Sequence, residues 1–338
     1  MTCATLAIVG PTASGKTDLG LRLAREQNAE IISVDSRQVY KYLSVGTAKP
    51  MGPPPEAAGD DEMGTSIVEG IPYHLVDFLE PDKHFSAADF VRLATEKIGD
   101  IRARGKKPIF VGGTGLYFKA LTEGLAPLPP ADSDTRTRLK KEAEHFGRAA
   151  LHARLSAVDP EAAVKIPPNN IQRLIRALEV YELTGKPISE WHREHTNAVI
   201  PAQAVPLTTG GQSRPISSKE WDGTQNIGLG PDLHRGDVNL HFIGLDPGRE
   251  ELHRRIETRC RAMIAGGMIE ETQALLSKGF SETCPALSGL GYPRIIAHLK
   301  GTLSKEECLA LLIQDTRQYA KRQRTWFRHQ LSVKWNSL

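Results

Sequence analysis

Apolar positions along the chain follow two alternating patterns. Continuous short runs at Leu6-Ala7-Ile8-Val9, Glu30-Ile31-Ile32-Ser33-Val34, Lys107-Pro108-Ile109-Phe110-Val111 and Leu240–Leu245 have the length and branching of strands buried on both faces. Between them the apolar residues are spaced for helices. Residues 19–24 are amphipathic, and Phe90, Ala94, Ile98 and Ile101 repeat at helical spacing between the capping box Ser86-Ala87-Ala88-Asp89 and Gly105. Strand, helix, strand, helix in this order predicts parallel crossovers, and hence an α/β protein with a doubly wound parallel sheet.

The texture changes at residue 126. Pro127, Pro129 and Pro130 lead into charged helical segments at 132–146 and 151–158, too polar for a central sheet, so a helical insertion is expected. In residues 169–185, Ile171, Leu174, Ile175, Leu178 and Tyr181 form an apolar face and Gly185 fits a C-terminal cap. Residues 51–70 and 197–239 lack sustained periodicity and read as loops, the second long, polar and rich in Gly, Pro, Ser, Thr and Gln. A helix over 247–265 should turn Leu252, Ile256, Met263 and Ile264 inward. The last helix, 304–328, should bury Leu309, Leu312, Tyr319 and Trp326 and carry Arg317, Lys321, Arg324 and Arg328 on its other side. The predicted organisation is a core over 1–125, a helical insertion over 126–200, a polar loop over 201–238, and the rest of the core over 239–338.

Composition excludes several classes. With 338 residues, 40% hydrophobic and 25% charged, the chain can bury a large core. No apolar run is long enough for a membrane span, and Met1 leads straight into a strand without a charged leader, so a cytoplasmic protein is expected. Cys3, Cys260, Cys284 and Cys308 are too scattered for a zinc site or a disulfide framework. A net charge of +3 does not by itself indicate nucleic acid. Its distribution does: from Asp315 to Lys334 there are six Lys or Arg against that one acid, which suits a phosphate backbone.

Gly10-Pro11-Thr12-Ala13-Ser14-Gly15-Lys16-Thr17 carries the most specific chemistry. It is G-x-x-x-x-G-K-[ST] set between a strand and a helix, so its backbone N–H groups can cradle phosphates. Lys16 adds a charge, and the Thr17 hydroxyl is the expected protein ligand of Mg²⁺. Asp35 and Ser36 stand at the carboxyl end of the second strand, where an open parallel sheet binds ligands. Asp35 is therefore a candidate base, or else the cap of the turn Ser36-Arg37-Gln38. The third strand ends in Gly112-Gly113-Thr114, without the acidic residue expected of many phosphate-loop ATPases. Gln172, Arg173 and Arg176 bring an amide and two guanidiniums together on one helix, fit for phosphates and base edges or for solvent alone. Arg255 and Arg259 stand one turn apart, and either could close on the loop's ligand or else form surface ion pairs.

Six blocks together carry a resemblance. The phosphate loop, Asp35-Ser36-Arg37-Gln38-Val39-Tyr40, Gly46-Thr47-Ala48-Lys49-Pro50, Val111-Gly112-Gly113-Thr114-Gly115-Leu116-Tyr117, Gln172-Arg173-Leu174-Ile175-Arg176-Ala177-Leu178-Glu179 and Thr316-Arg317-Gln318-Tyr319-Ala320-Lys321-Arg322-Gln323 stand in the order of the tRNA isopentenyltransferase family. The chain resembles its bacterial tRNA dimethylallyltransferases over nearly its whole length. The resemblance implies a phosphate-loop core with an inserted helical domain. It also implies transfer of a dimethylallyl group from dimethylallyl diphosphate to N6 of the adenosine 3′ to the anticodon (position 37), with release of diphosphate.

In that scheme Asp35 is the base, Thr12 bonds the bridging oxygen, and Arg259 matches the family's diphosphate contact, with Arg255 the alternative. The resemblance makes Asp35, Ser36, Arg37, Gln38, Thr114 and Gln172, Arg173, Leu174, Ile175, Arg176 the RNA-facing group, joined by the basic helix. The expected partners are the tRNA anticodon stem-loop and dimethylallyl diphosphate, with no membrane, in a monomer. Ser288-Gly289-Leu290-Gly291-Tyr292 departs from the family's isoleucine-glycine-tyrosine block and is expected not to touch the chemistry. An adenylate isopentenyltransferase acting on free AMP, a phosphate-loop small-molecule kinase and a non-catalytic RNA-binding or GTPase-switch protein are the competing readings.

Overall fold

The computed structural model describes residues 5–52, 64–197 and 239–336. The chain divides into two compact units, one formed by Met1–Glu123 with Gly211–Leu338 and the other by Gly124–Gly210. The polar stretch at 198–238, expected as a separate loop, lies outside the described residues.

The α/β unit opens with β1 (Thr5–Val9), α1 (Lys16–Gln27), β2 (Ala29–Val34), β3 (Thr65–Val68), β4 (Ile71–His74), α2 (Ala87–Ala103), β5 (Lys107–Gly112) and α3 (Gly115–Glu123). The helical unit follows, with α4 (Ser133–Phe146), α5 (Arg148–Val158), α6 (Pro160–Lys165), α7 (Ile171–Thr184) and α8 (Ile188–Asn197). The chain then returns through β6 (Leu240–Leu245), α9 (Arg249–Ala265), α10 (Met268–Ser277), α11 (Tyr292–Leu299), α12 (Lys305–Gln330) and β7 (Lys334–Asn336). Among the described residues these seven strands form one sheet in the order β3-β4-β2-β5-β1-β6-β7, parallel except for β3 against β4.

Register places the site. Gly112 of β5 lies level with Val9 of β1 and with Val34 of β2, so three strands end together and release Gly10, Asp35 and Gly113 at one edge. The central strands are buried along nearly their full length, as their unbroken apolar runs require. At the opposite, amino-terminal end Glu30 is buried and accepts from His74 Nε2 at 2.7 Å, with Lys106 Nζ at 3.1 Å and Arg104 beside it. Burial alone would raise the Glu30 pKa; the hydrogen bonds from His74, Lys106 and Arg104 prevail and bring it down to about 2.

Two expectations need correction. Residues 65–68, read as loop, form β3, paired with β4 in a hairpin whose turn residues Glu69 and Gly70 have φ of 50° and 80°. Four-residue strands, one of them carrying Pro72, are too short for alternation to register, and Glu-Gly is a weaker turn signal than Asn-Gly. In α12 the buried stripe is Cys308, Leu312, Ile313, Thr316, Ala320, Gln323 and Phe327, whereas Leu309, Tyr319 and Trp326 flank it half-buried. The stripe against the core mixes Leu312, Ile313 and Phe327 with the small Cys308 and Ala320 and the polar Thr316 and Gln323, so spacing of the large apolar residues alone does not locate it.

In the helical unit, Leu139, Leu151, Leu155, Leu174 and Leu178 are fully or almost fully buried. A carboxylate is buried among them. Glu179 accepts from the Asp132 backbone N–H at 2.7 Å, from Arg136 at 2.8 and 3.1 Å and from Arg176 at 2.7 Å. These donors outweigh the burial that opposes its charge and lower its pKa.

Candidate active site

The phosphate loop joins β1 to α1. Gly10 has φ 153°, and a Cβ there would come within 2.6 Å of the Leu245 carbonyl oxygen, so the loop leaves the sheet where only glycine fits. Gly15 is left-handed at φ 87° and caps α1 without any side-chain bond, which leaves the first-turn N–H groups open to an anion. Lys16 Nζ donates to the Pro11 carbonyl at 2.6 Å. Burial and the neighbouring Arg259 charge bring its pKa down to about 7, against the pull of Asp35. The Ser14 hydroxyl is buried without a partner among the described residues.

Asp35 both caps a turn and faces the site. Its Oδ1 accepts from the backbone N–H groups of Arg37 at 2.7 Å and Gln38 at 3.3 Å, the Asx-turn arrangement. The half-buried carboxylate also lines a cavity of about 390 Å³ with Thr12, Lys16 and Thr17. Val111, Gly112 and Gly113 from the end of β5, Arg259, Cys260 and Met263 from α9, and Leu312, Thr316, Tyr319, Arg322 and Gln323 from α12 complete much of that wall. Met263 thus faces the cavity instead of the core. Ser288, Leu290 and Tyr292 line it as well, so the block expected to stand apart from the chemistry is part of the site.

A second cavity of about 560 Å³ lies against Ala13, Ser14, Gly15 and Asp18, with Pro50 and Arg255 opposite. Lys16, Thr17, Ala48 and Arg259 border both cavities. The two arginines differ in state. Arg255 Nε is held by Glu251 at 2.6 Å, whereas Arg259 Nε is buried and has no hydrogen-bond partner among the described residues. A half-buried guanidinium whose Nε–H lacks an acceptor is suited to an anionic ligand.

Other expected contacts serve the wall itself. Thr114 Oγ1 accepts from the Ser36 N–H at 3.1 Å and ties the ends of β5 and β2 together. Arg37 reaches the Pro285 carbonyl at 2.8 Å and the Ser288 hydroxyl at 3.2 Å. Gln38 spans from Ser33 Oγ at 2.9 Å to the Ala48 carbonyl at 3.3 Å. The Gly46–Pro50 block is held mainly by Glu271, which the sequence did not single out. Glu271 accepts from the N–H groups of Ser44, Val45 and Gly46 at 2.9, 2.9 and 2.7 Å and from the Tyr292 hydroxyl at 3.0 Å. A Cβ on Gly46 would lie 2.4 Å from that hydroxyl.

The basic stripe of α12 is partly neutralised. Arg324 and Arg328 share the Asp246 carboxylate at 3.0 Å, and Arg317 meets Glu257 at 3.3 Å. Lys321 is exposed and has no ion pair among the described residues, and Arg322 lies over the Tyr319 ring at 5.8 Å. Within the helical unit, Gln172 and Arg173 are exposed. Leu174 and Ile175, named with them as RNA-facing, are buried at 0% and 8% exposure, because the apolar face of α7 takes them inward. Arg176 turns to Glu179 and to the Pro129 carbonyl at 2.7 Å. No cluster of three or more His, Cys, Asp or Glu side chains placed to hold a metal ion occurs among the described residues.

A family model described as IPP transferase matches residues 38–330, and one described as isopentenyl transferase matches residues 3–54. The chain belongs to the IPP transferase family. It is 40% identical over 328 residues to a tRNA dimethylallyltransferase of Geobacter sulfurreducens, covering 97% of this chain and 90% of the relative. It is also 43% identical over 329 residues to one of Geobacillus kaustophilus, covering 97% and 88%. Among solved structures it is similar to the tRNA isopentenylpyrophosphate transferase of Bacillus halodurans, with TM-score 0.61 and 35% identity over 99% of this chain and 89% of that one. A eukaryotic dimethylallyltransferase acting on tRNA aligns with TM-score 0.65 and 25% identity, covering 99% and 74%. Family membership accounts for the order of the six sequence blocks. Glu271 was not named from the sequence, and Tyr292 and Gln323 were named only within blocks and given no site role, because all three act across separations that no local pattern reports. No helix among the described residues is long and apolar enough to cross a membrane.

Proposed function

We propose that this chain transfers a dimethylallyl group from dimethylallyl diphosphate to N6 of the adenosine on the 3′ side of a tRNA anticodon, releasing diphosphate. One observation carries the reading: two cavities, one against the open phosphate loop and one holding a carboxylate, share Lys16, Thr17 and Arg259 as their common border. A diphosphate in the first would lie against the loop N–H groups, and its allylic carbon would face the second.

The adenine amine is a weak nucleophile because its lone pair is delocalised into the ring. Asp35, already fixed by two backbone N–H bonds through Oδ1, is suited to take the amine proton as the C–N bond forms. As the allylic C–O bond breaks, negative charge grows on the diphosphate. The loop donors, Lys16 and the unpartnered Arg259 guanidinium stabilise that charge more in the transition state than before it, and the Thr12 hydroxyl serves the bridging oxygen. Thr17 would hold Mg²⁺, which would supply further charge neutralisation when bound. Thr17 borders both cavities, and a single protein hydroxyl suits a cation that keeps most of its waters.

The base must leave its stack in the anticodon loop to reach such a cavity, so backbone contacts outside it are required. Lys321 and Arg322 on α12, with Arg317, Arg324 and Arg328 around them, and the exposed Gln172 and Arg173 are the proposed contacts. Leu174, Ile175 and Arg176 instead hold the helical unit together. A monomer in the cytoplasm fits this role. The absence of an acid at Gly112-Gly113-Thr114 disfavours the kinase reading.

The test is a transfer assay with labelled dimethylallyl diphosphate and Mg²⁺, offering unmodified tRNA and AMP in parallel. Label in tRNA alone is expected. Label in AMP alone would move the protein to free-nucleotide prenylation, and label in neither would overturn the reading.

A further inference from the structure

Gln323 lies on the buried side of α12, in the wall of the 390 Å³ cavity, and is 7% exposed. Both ends of its carboxamide are used. Oε1 accepts from the Thr12 backbone N–H at 2.8 Å, and Nε2 donates to the Gly113 carbonyl at 2.9 Å. One side chain therefore spans from the phosphate loop to the end of β5 and fixes both to the helix that carries Lys321 and Arg322. The space is tight, since a Cβ on Gly113 would fall 2.3 Å from Nε2. Thr12 otherwise sits in a loop whose next residue, Ala13, is left-handed at φ 64°, a conformation a residue with a Cβ holds only when its surroundings impose it.

We infer that Gln323 is a positioning residue for the transfer reaction: it sets the place of Thr12, and through Thr12 the hydroxyl that meets the breaking C–O bond. The inference rests on the function proposed above. It goes beyond that reading because Gln323 touches neither substrate in the scheme. It also makes α12 a single rigid link between the basic outer surface and the phosphate loop. An amide is the side chain that fits, because one group must accept at one end and donate at the other. A carboxylate of the same shape would still accept from Thr12 but would set an acceptor against the Gly113 carbonyl.

The experiment measures kcat and KM for both substrates in the wild type, Gln323→Met, Gln323→Glu, Thr12→Ala and the Thr12→Ala/Gln323→Met double variant, after circular dichroism and thermal melting establish folding. A wild type that fails to label tRNA rejects the function and leaves Gln323 no reaction to position. With an active wild type, Gln323→Met should lower kcat by about ten- to a hundredfold, the scale of losses from misplaced catalytic groups. The KM for tRNA should stay within a few fold. The same substitution should cost little more once Thr12 is alanine, because a group acting through another is non-additive with it. Gln323→Glu should regain activity relative to wild type as pH falls and its carboxyl becomes a donor.

Wild-type kcat in Gln323→Met, full additivity with Thr12→Ala, or a Gln323→Glu pH profile parallel to wild type would overturn the inference. Should Gln323→Met fail to fold, the pH profile of the isosteric glutamate decides. Unfolding of both variants would assign Gln323 to folding and likewise overturn it.

Discussion

Asp35 illustrates how one side chain carries two jobs that a single substitution would confuse. Its Oδ1 closes a turn over the Arg37 and Gln38 N–H groups, and the carboxylate faces the cavity beside Lys16. Alanine removes both functions, whereas asparagine retains an acceptor for the turn and loses only the base. Asp35→Asn should therefore fold with wild-type stability, bind tRNA within a few fold of wild type, and lose about 10²- to 10⁴-fold in kcat, the range of general base catalysis. Near-normal turnover in Asp35→Asn alongside a dead Asp35→Ala would reduce Asp35 to a turn cap. The residues legible in the sequence were those whose chemistry is local: the loop Gly10 to Thr17 and the strand end at Asp35 declare themselves within a few positions. Glu271 and Gln323 did not, because their partners lie 225 and 311 residues away, and nothing about a lone Glu or Gln on a helix reports such a contact.

At the level of elements, α12 was legible as a long amphipathic helix but not in its detail. Its buried stripe is filled by Thr316, Ala320 and Gln323, which hydropathy ranks low, and its basic face is divided between paired and unpaired charges. Arg324 and Arg328 together satisfy Asp246, which is 11% exposed, so reversing either charge disturbs that contact as well as any RNA. Lys321 has no such obligation. Lys321→Glu should weaken tRNA binding and flatten its salt dependence while leaving the melting temperature unchanged; Arg324→Glu should lower both affinity and melting temperature. Binding isotherms over a salt series check this, and an unchanged slope in Lys321→Glu would remove that residue from the interface. The β3–β4 hairpin shows the opposite limit of legibility: its strands are too short to have a period at all, and it exists because β4 finds β2.

The whole molecule has a weak point against acid at the amino-terminal end of its sheet. Burial lowers the His74 pKa against the pull of Glu30, so the fold takes up that proton at lower pH than the unfolded chain, which does so near pH 6.5. Glu30, held down to about 2, stays charged in the fold while the unfolded chain protonates near pH 4.3. In both cases the unfolded state binds more protons, so stability rises with pH and is lost as pH falls, first through the histidine range and then through the carboxylate range. Glu30→Gln should be less stable than wild type at pH 7, and the difference should narrow steadily between about pH 4.5 and 2. Denaturant titrations over pH check this, and a gap that stays constant would place the acid sensitivity elsewhere.

At this scale the class of the sheet, the insertion after α3 and the return through β6 were all legible, because each rests on a long run of one pattern. The order of assembly was not. β1, first in sequence order among the described strands, is enclosed between β5 and β6, and Thr5 pairs with Leu240. The turn at Gly10 is seated against Leu245, and the loop is fastened to Gln323. A nascent chain thus makes its phosphate-binding signature 311 residues before the Gln323 that fastens it, so the pocket waits on translation of α12. Translation that stalls early yields the motif without the enzyme.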